Sequence, residues 1–200
     1  MIDDDRRTFL KECAALAAVA SAPLGTPQSL AKTSVNARRP AQRIAYVLMD
    51  ETIDEARGFA APLRARGATV LSVVETDLEE LWRRKLHRAC VEHSAIAGLT
   101  SHSTLFICAG FAREIGARVR HEAQHDCRGC DVLTHRLPAG TRSPALDDAL
   151  AHAGAHWPLT LAAYIAALPA TGVHLNAAVI HTETRRSATH PGTLFSWLIG

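Results

Sequence analysis

Residues 43–74 read RIAYVLMDETIDEARGFAAPLRARGATVLSVV. Arg43 to Asp50 is a near-continuous apolar run that ends in an acid. That pattern predicts a central strand buried on both faces, since a strand with one solvated face would alternate polar and apolar residues. Thr52 to Arg66 then reads as a helix. Thr52 can cap it with Glu55 three residues on, and Gly67 lies just past its end. Ala68 to Val74 is β-branched and strand-like. The stretch is therefore a strand–helix–strand unit.

The same alternation continues along the chain. Asp77 starts a helix through about His93, with Leu78, Leu81, Trp82, Leu86 and Ala89 on one face. Ala95 to Thr100 predicts a third strand, Leu105 to Ile115 a helix closed by Gly116, and Ala117 to Glu122 a fourth strand. Four strands alternating with three helices predict an α/β domain with an open, mostly parallel sheet; if its order is 2-1-3-4, the ends of strands one and three flank the point where the order reverses. Helices on both faces would give the three layers of Rossmann-like and flavodoxin-like proteins. A hairpin follows strand four. Ser143 to Leu168 reads as helical, with Pro144 at the first position and a restart or kink at Pro158. His174 to Thr182 and Thr193 to Ile199 read as a C-terminal antiparallel pair along one sheet edge. Residues 43–200 make one domain on this reading, preceded by a polar linker at 32–42 that contains Pro40.

In open sheets of this kind, ligands bind beyond the carboxyl ends of the strands, where the strand order reverses. Strand one ends at Asp50 and Glu51; strand three ends at Thr100, Ser101, His102, Ser103 and Thr104. These seven residues are the expected ligand-binding set. Hydroxyls and free amides at a helix start suit an anion, and His102 could carry a charge or move a proton. A hydrolase in the same crevice would use Ser101 or a water as nucleophile, with His102 as base and Asp50 as its orienter.

Residues 121–130 read HEAQHDCRGC and hold two further patterns. His121 and His125 complete H-E-x-x-H, which serves zinc peptidases only on a helix, where one turn gathers both imidazoles and the glutamate. Here Arg118-Val119-Arg120 alternates with period two, and no apolar helical face continues past His125. The segment predicts a strand. It would put His121, Ala123 and His125 on one face and Glu122 and Gln124 on the other, with the histidines exposed near the strand end. Cys127 and Cys130 form C-x-x-C, and Arg128-Gly129 reads as a two-residue hairpin turn between them. A disulfide across that turn, free thiols, a redox pair, and a metal knuckle all remain open. The knuckle would use Cys127, Cys130 and His135, with His121 or His125 as fourth ligand and zinc as its ion. Haem attachment is excluded, because residue 131 is Asp where C-x-x-C-H needs histidine. Glycine-rich nucleotide loops and the G-x-S-x-G elbow do not occur.

A hydrophobic content of 48% and a formal net charge of +2 describe an ordinary globular chain and give no case for nucleic acid. The first residues differ from the rest. Asp5-Arg6-Arg7-Thr8-Phe9-Leu10-Lys11 resembles the twin-arginine (Tat) export signal in its arginine pair Arg6-Arg7 and in Phe9-Leu10. An alanine-rich apolar stretch follows, and Ser29-Leu30-Ala31 suits cleavage after Ala31. The resemblance is confined to residues 1–31. It implies passage through the Tat translocase, a periplasmic address, and a cofactor or redox partner for many of the proteins so exported. The apolar stretch is short for a stable membrane span. The expected function is a periplasmic small-ligand, anion-binding protein or an accessory to an exported redox enzyme.

Overall fold

Val47 and Leu48 are neighbours in β1 (Ile44–Met49), and both are fully buried, in two different cores. A strand can do this only when both faces of the sheet are covered, which the continuous apolar run implies. The structure is a computed structural model that describes residues 42–74, 76–128, 132–138, 144–168, 177–183 and 192–200. β1 pairs in parallel with β2 (Thr69–Ser72) and with β3 (Ala95–Thr100). The remaining strands are β4 (Val119–Arg128), β5 (Val132–Pro138), β6 (Ala177–Glu183) and β7 (Thr193–Ile199). All seven form one mixed sheet in the order β2-β1-β3-β7-β4-β5-β6.

The sheet departs from the expected one at β7. This strand enters between β3 and β4 and runs antiparallel to both. β4 therefore points the same way as β1, β2 and β3, as the strand–helix alternation predicts, but does not touch β3. The expected mostly parallel sheet is corrected on this point: two ladders are parallel, and the four that involve β4 to β7 are antiparallel. The expected C-terminal pair is corrected too. β6 takes the edge beside β5, while β7 goes to the middle. The physical reason lies in the sequence of β7, TLFSWLI, whose last four residues are all buried. So apolar a strand is stable only with neighbours on both edges and layers on both faces.

Helices cover both faces. On one lie α1 (Asp54–Ala65), α5 (Pro144–Ala153) and α6 (Trp157–Ala167), packing Phe59, Leu63, Leu150 and Leu161 against Val47, Ala97, Leu99 and Leu198. On the other lie α2 (Leu78–Leu81), α3 (His87–Val91) and α4 (His102–Glu114); Trp82 and Leu86 from the turn between α2 and α3, with Leu105 and Cys108 of α4, pack against Leu48, Ile96 and Trp197. The predicted helix over 77–93 is not uniform. Asp77 caps it by accepting from the amides of Glu79 (2.9 Å) and Glu80 (3.3 Å), and a π turn at Trp82–Leu86 then separates α2 from α3. The helix over 143–168 breaks at a 3₁₀ turn, Gly154–His156, where Gly154 has φ +52°, and restarts at Trp157 with Pro158 in its first turn. Thr52 does not cap α1. Its hydroxyl and amide both donate to Asp50 Oδ1, at 2.6 and 2.9 Å.

The hairpin after β4 also differs from expectation. β4 runs through Arg128, which pairs with Val132, and Cys127 pairs with Leu133. The connection is thus residues 129–131, not a two-residue turn, and Cys127 does not stand opposite Cys130. The expected disulfide itself lies outside the described residues, as do the Cys130 position and the side chain of Cys127. Residues 1–41, with the expected export signal at Arg6, Arg7, Phe9 and Leu10, lie outside them too.

Candidate functional site

The carboxyl ends of β1 and β3 do meet, since Met49 pairs with Leu99. The groups gathered there are mostly occupied with one another. Asp50 is held in a local turn by Thr52. Thr100 is fully buried; its hydroxyl accepts from Trp197 Nε1 at 3.0 Å and donates to the Ser101 carbonyl at 3.1 Å. The Ser101 hydroxyl bonds those of Ser103 (2.9 Å) and Thr104 (3.3 Å) and caps no amide of α4. His102 lies against Phe195, with ring centroids 4.9 Å apart. No hydrogen bond joins Ser101 to His102 or His102 to Asp50, so the nucleophile–base–orienter chain of a hydrolase is not assembled. The charge around the crevice is also wrong for an anion. Asp50, Glu51 and Asp54 cluster there, and the nearby Arg57 is taken by the Asp54 carboxylate and the Glu51 carbonyl.

The basic side chains gather at the opposite end of the parallel strands. A cavity of about 350 Å³ is lined by Arg43, Tyr46 and Thr69 at the strand starts and by Arg84, Lys85, Arg88 and Glu92 from the helical segment behind them. Arg84 and Lys85 belong to the π turn. Such a turn carries one residue more than an α turn, and it is often found at functional sites. Arg84 bonds Glu80 at 2.8 Å and Arg88 bonds Glu92 at 2.7 Å; both pairs are exposed and contribute little to stability. Arg43 and Lys85 make no ion pair among the described residues.

A third cluster sits under α6, on the face of β4 that the period-two pattern assigns to His121, Ala123 and His125. The alternation holds, and Glu122 is exposed on the other side. The expected exposure of the histidines does not. His121, His125 and His135 are all essentially inaccessible, because Trp157 of α6 lies 4.7 Å from the His125 ring and 5.1 Å from that of His135. Tyr164, two turns further along α6, meets the His121 ring edge-on at 5.9 Å. Ser196 of β7 pairs with Ala123, which lies between His121 and His125 on this face of β4. Their Nε2 atoms reach the Ser196 hydroxyl at 3.1 and 2.8 Å. His125 and His135 are direct partners across β4 and β5, and their Nδ1 atoms are 2.7 Å apart. Burial pushes the pKa of His121 down to about 3 and that of His135 to about 4. It also lowers that of His125 well below the ordinary value, with the two neighbouring imidazoles adding to the effect.

These rings meet one another in a chain rather than around a common point. Two nitrogens on one tetrahedral zinc stand ~3.3 Å apart, given Zn–N bonds of ~2.05 Å, so the His125–His135 contact is that of a shared proton. Among the described residues no group of three or more His, Cys, Asp or Glu is arranged to hold a metal. Cys90 and Cys108 are buried free thiols, pushed up to about 11 and about 12 by desolvation, which suits packing rather than chemistry.

Sequence reasoning missed Ser196, Trp157 and Tyr164 in the histidine cluster and Arg43, Arg84, Lys85 and Arg88 in the cavity. Arg84-Lys85 and Arg88 were visible as a basic helix face. Ser196 gave one signal, a lone hydroxyl in an otherwise apolar strand. The fold and its buried groups define a three-layer α/β protein with an imidazole–hydroxyl cluster inside its antiparallel half. Compared with protein-family models, curated proteins and solved structures, the chain matches none.

Proposed function

We propose that the protein binds a small anion, and that it does so in the basic cavity at the starts of β1, β2 and β3 rather than in the crevice at their ends. One observation carries this reading: four cationic side chains, Arg43, Arg84, Lys85 and Arg88, line one concavity with a single carboxylate, Glu92. The carboxyl ends of α1 and α3 face the same end of the sheet, and each opposes an anion by about 0.3–1 kcal/mol. Glu80 and Glu92 pair with Arg84 and Arg88, which leaves an excess of two formal charges from Arg43 and Lys85; at low ionic strength each gives about 1 kcal/mol at 4 Å even in water, enough to offset the helix ends. Binding of this kind weakens as salt rises. The doubly wound character that motivates a Rossmann-like comparison is limited on this reading to the β2-β1-β3 half.

Inorganic phosphate and succinate are suitable probes, titrated at low ionic strength against chloride of matched strength. At ten times the dissociation constant, binding stabilises by about 1.4 kcal/mol. For a chain of this size that raises Tm by about 3–5 °C. The shift should vanish in the Arg43→Gln/Lys85→Gln variant. A wild-type Tm that follows ionic strength alone overturns the proposal.

The leader supports placing this activity in the periplasm, as an accessory to an exported redox enzyme. With Arg6→Lys/Arg7→Lys, the protein should accumulate uncleaved in the cytoplasmic fraction. Unchanged export of that variant would remove the Tat reading and leave the anion site standing.

A further inference from the structure

The outer side of α4 serves neither the basic cavity nor the histidine cluster. We infer that it is the contact face of a weak two-fold dimer, in which α4 of one copy lies antiparallel on α4 of a second copy of the chain.

The inner side of α4 buries Thr104, Leu105, Cys108 and Ala112. That spacing leaves residues 102–103, 106–107, 110 and 113–114 on the outside. The middle of this outer face is apolar. Phe106 is 71% exposed and Ile107 40%, and they are neighbours. The His102 ring continues the patch from Phe106 to Phe195 of β7, with ring centroids 6.2 and 4.9 Å apart. Exposed apolar surface that is contiguous marks an interaction site, whereas single scattered residues do not.

Two residues beside the patch are unfavourable for α4 on its own. Gly110 lies inside the helix, where glycine is a poor helix former. A Cβ built on it would meet nothing within 4 Å, so no close approach within the chain calls for a glycine. Glu114 lies in the last turn, where the helix dipole opposes an acid. Both residues suit a second copy. A two-fold axis passing between residues 106 and 110 sets residues 102–106 of each helix against 110–114 of the other, so every contact is made twice. Phe106 then fills the notch at Gly110 of the second copy. Arg113 of that copy covers the Phe106 ring, a cation on an aromatic face. Glu114 arrives at the first turn of the facing helix. No side chain caps the amides there, since the Ser101 hydroxyl bonds those of Ser103 and Thr104 instead. A carboxylate is favoured at that end. The charges thus select the antiparallel arrangement, because a parallel one would set Glu114 beside Glu114.

The face of this 13-residue helix is about 20 Å long and 10 Å wide. Such a footprint falls well below the ~800 Å² per partner of a stable complex, so the dimer is transient, with a Kd on the order of 100 µM. α4 runs against the strands it connects, so the two basic cavities lie at opposite ends of the pair and both stay open.

Sedimentation velocity of the full chain, from about 5 to about 500 µM, tests the association. The wild type should pass from monomer towards dimer over that range. Gly110→Gln, Glu114→Lys and Phe106→Ser should each weaken the dimer by about tenfold or more. The first two also improve the isolated helix, so at about 5 µM, where the monomer prevails, their Tm should be unchanged or higher. That separates a lost contact from a lost fold. A wild-type chain that stays monomeric at about 500 µM overturns the proposal, whether the face is bare or reserved for a different protein. A dimer that survives Gly110→Gln or Glu114→Lys also overturns it, since the contact would then lie elsewhere. So does a Tm lowered by both substitutions, which would show that the two residues serve the fold of α4.

Discussion

Gly98 lies in the middle of β3, directly across from Trp197 of β7. A Cβ placed there would overlap the indole ring itself. The indole is also tethered, since its N–H is held by the buried Thr100 hydroxyl. It cannot swing away without leaving that donor unpaired, so glycine is required here by close approach and not by backbone conformation. Gly98→Ala should destabilise the protein by about 1–3 kcal/mol or more through overpacking. For a chain of this size that is a fall in Tm of about 2–12 °C. Thermal unfolding checks it, and an unchanged Tm would mean that Trp197 does not lie over β3 as described.

At the scale of elements, most of the parallel half was legible. The apolar run at 43–50 marked β1, and β3 falls at 95–100, where the sequence puts it. These signals are local, because a strand buried on both faces must be apolar throughout. The place of β7 was not legible. Its bounds, Thr193–Ile199, agree with the sequence reading, but pairing is a property of two strands, and hydrophobicity names neither partner. The histidines show the same limit in another form. Period two put His121 and His125 on one face and so removed the peptidase geometry. Their burial depends on Trp157, more than 20 residues away, and on where the restarted helix α6 comes to rest. The direction of β4 was legible and its neighbour was not, for the same reason: a crossover helix fixes the sense of the next strand, not the number of strands left between. The basic cavity was hidden by a rule that is usually sound. Ligands favour the carboxyl ends of parallel strands, yet here the acids sit at those ends and the cations at the others.

The whole molecule has to keep three buried imidazoles neutral, and that ties its stability to pH. The folded-state pKa values of His121 and His135 are lowered to about 3 and about 4, and that of His125 is lowered well below 6.5. In the unfolded chain all three return to about 6.5. Above pH 6.5 neither state binds protons at these sites and stability is complete. As pH falls below 6.5 the unfolded chain takes up protons first, and each histidine lowers stability by up to ~1.4 kcal/mol per pH unit until its folded pKa is reached. For the three together that is about 6 kcal/mol at pH 5, against a total stability of about 5–15 kcal/mol for a typical domain. The protein should therefore unfold in acid between roughly pH 5.5 and 4. Most of the loss should begin above pH 5, before carboxylate protonation contributes. Circular dichroism across a pH series at fixed ionic strength measures this. His121→Leu removes one of the three groups, so the decline in Tm between pH 6.5 and 5 should lessen by about a third. A wild-type Tm that is flat from pH 7 to pH 4.5 would show that the imidazoles are not buried and neutral, and would take the hydrogen-bonded chain beneath α6 with it.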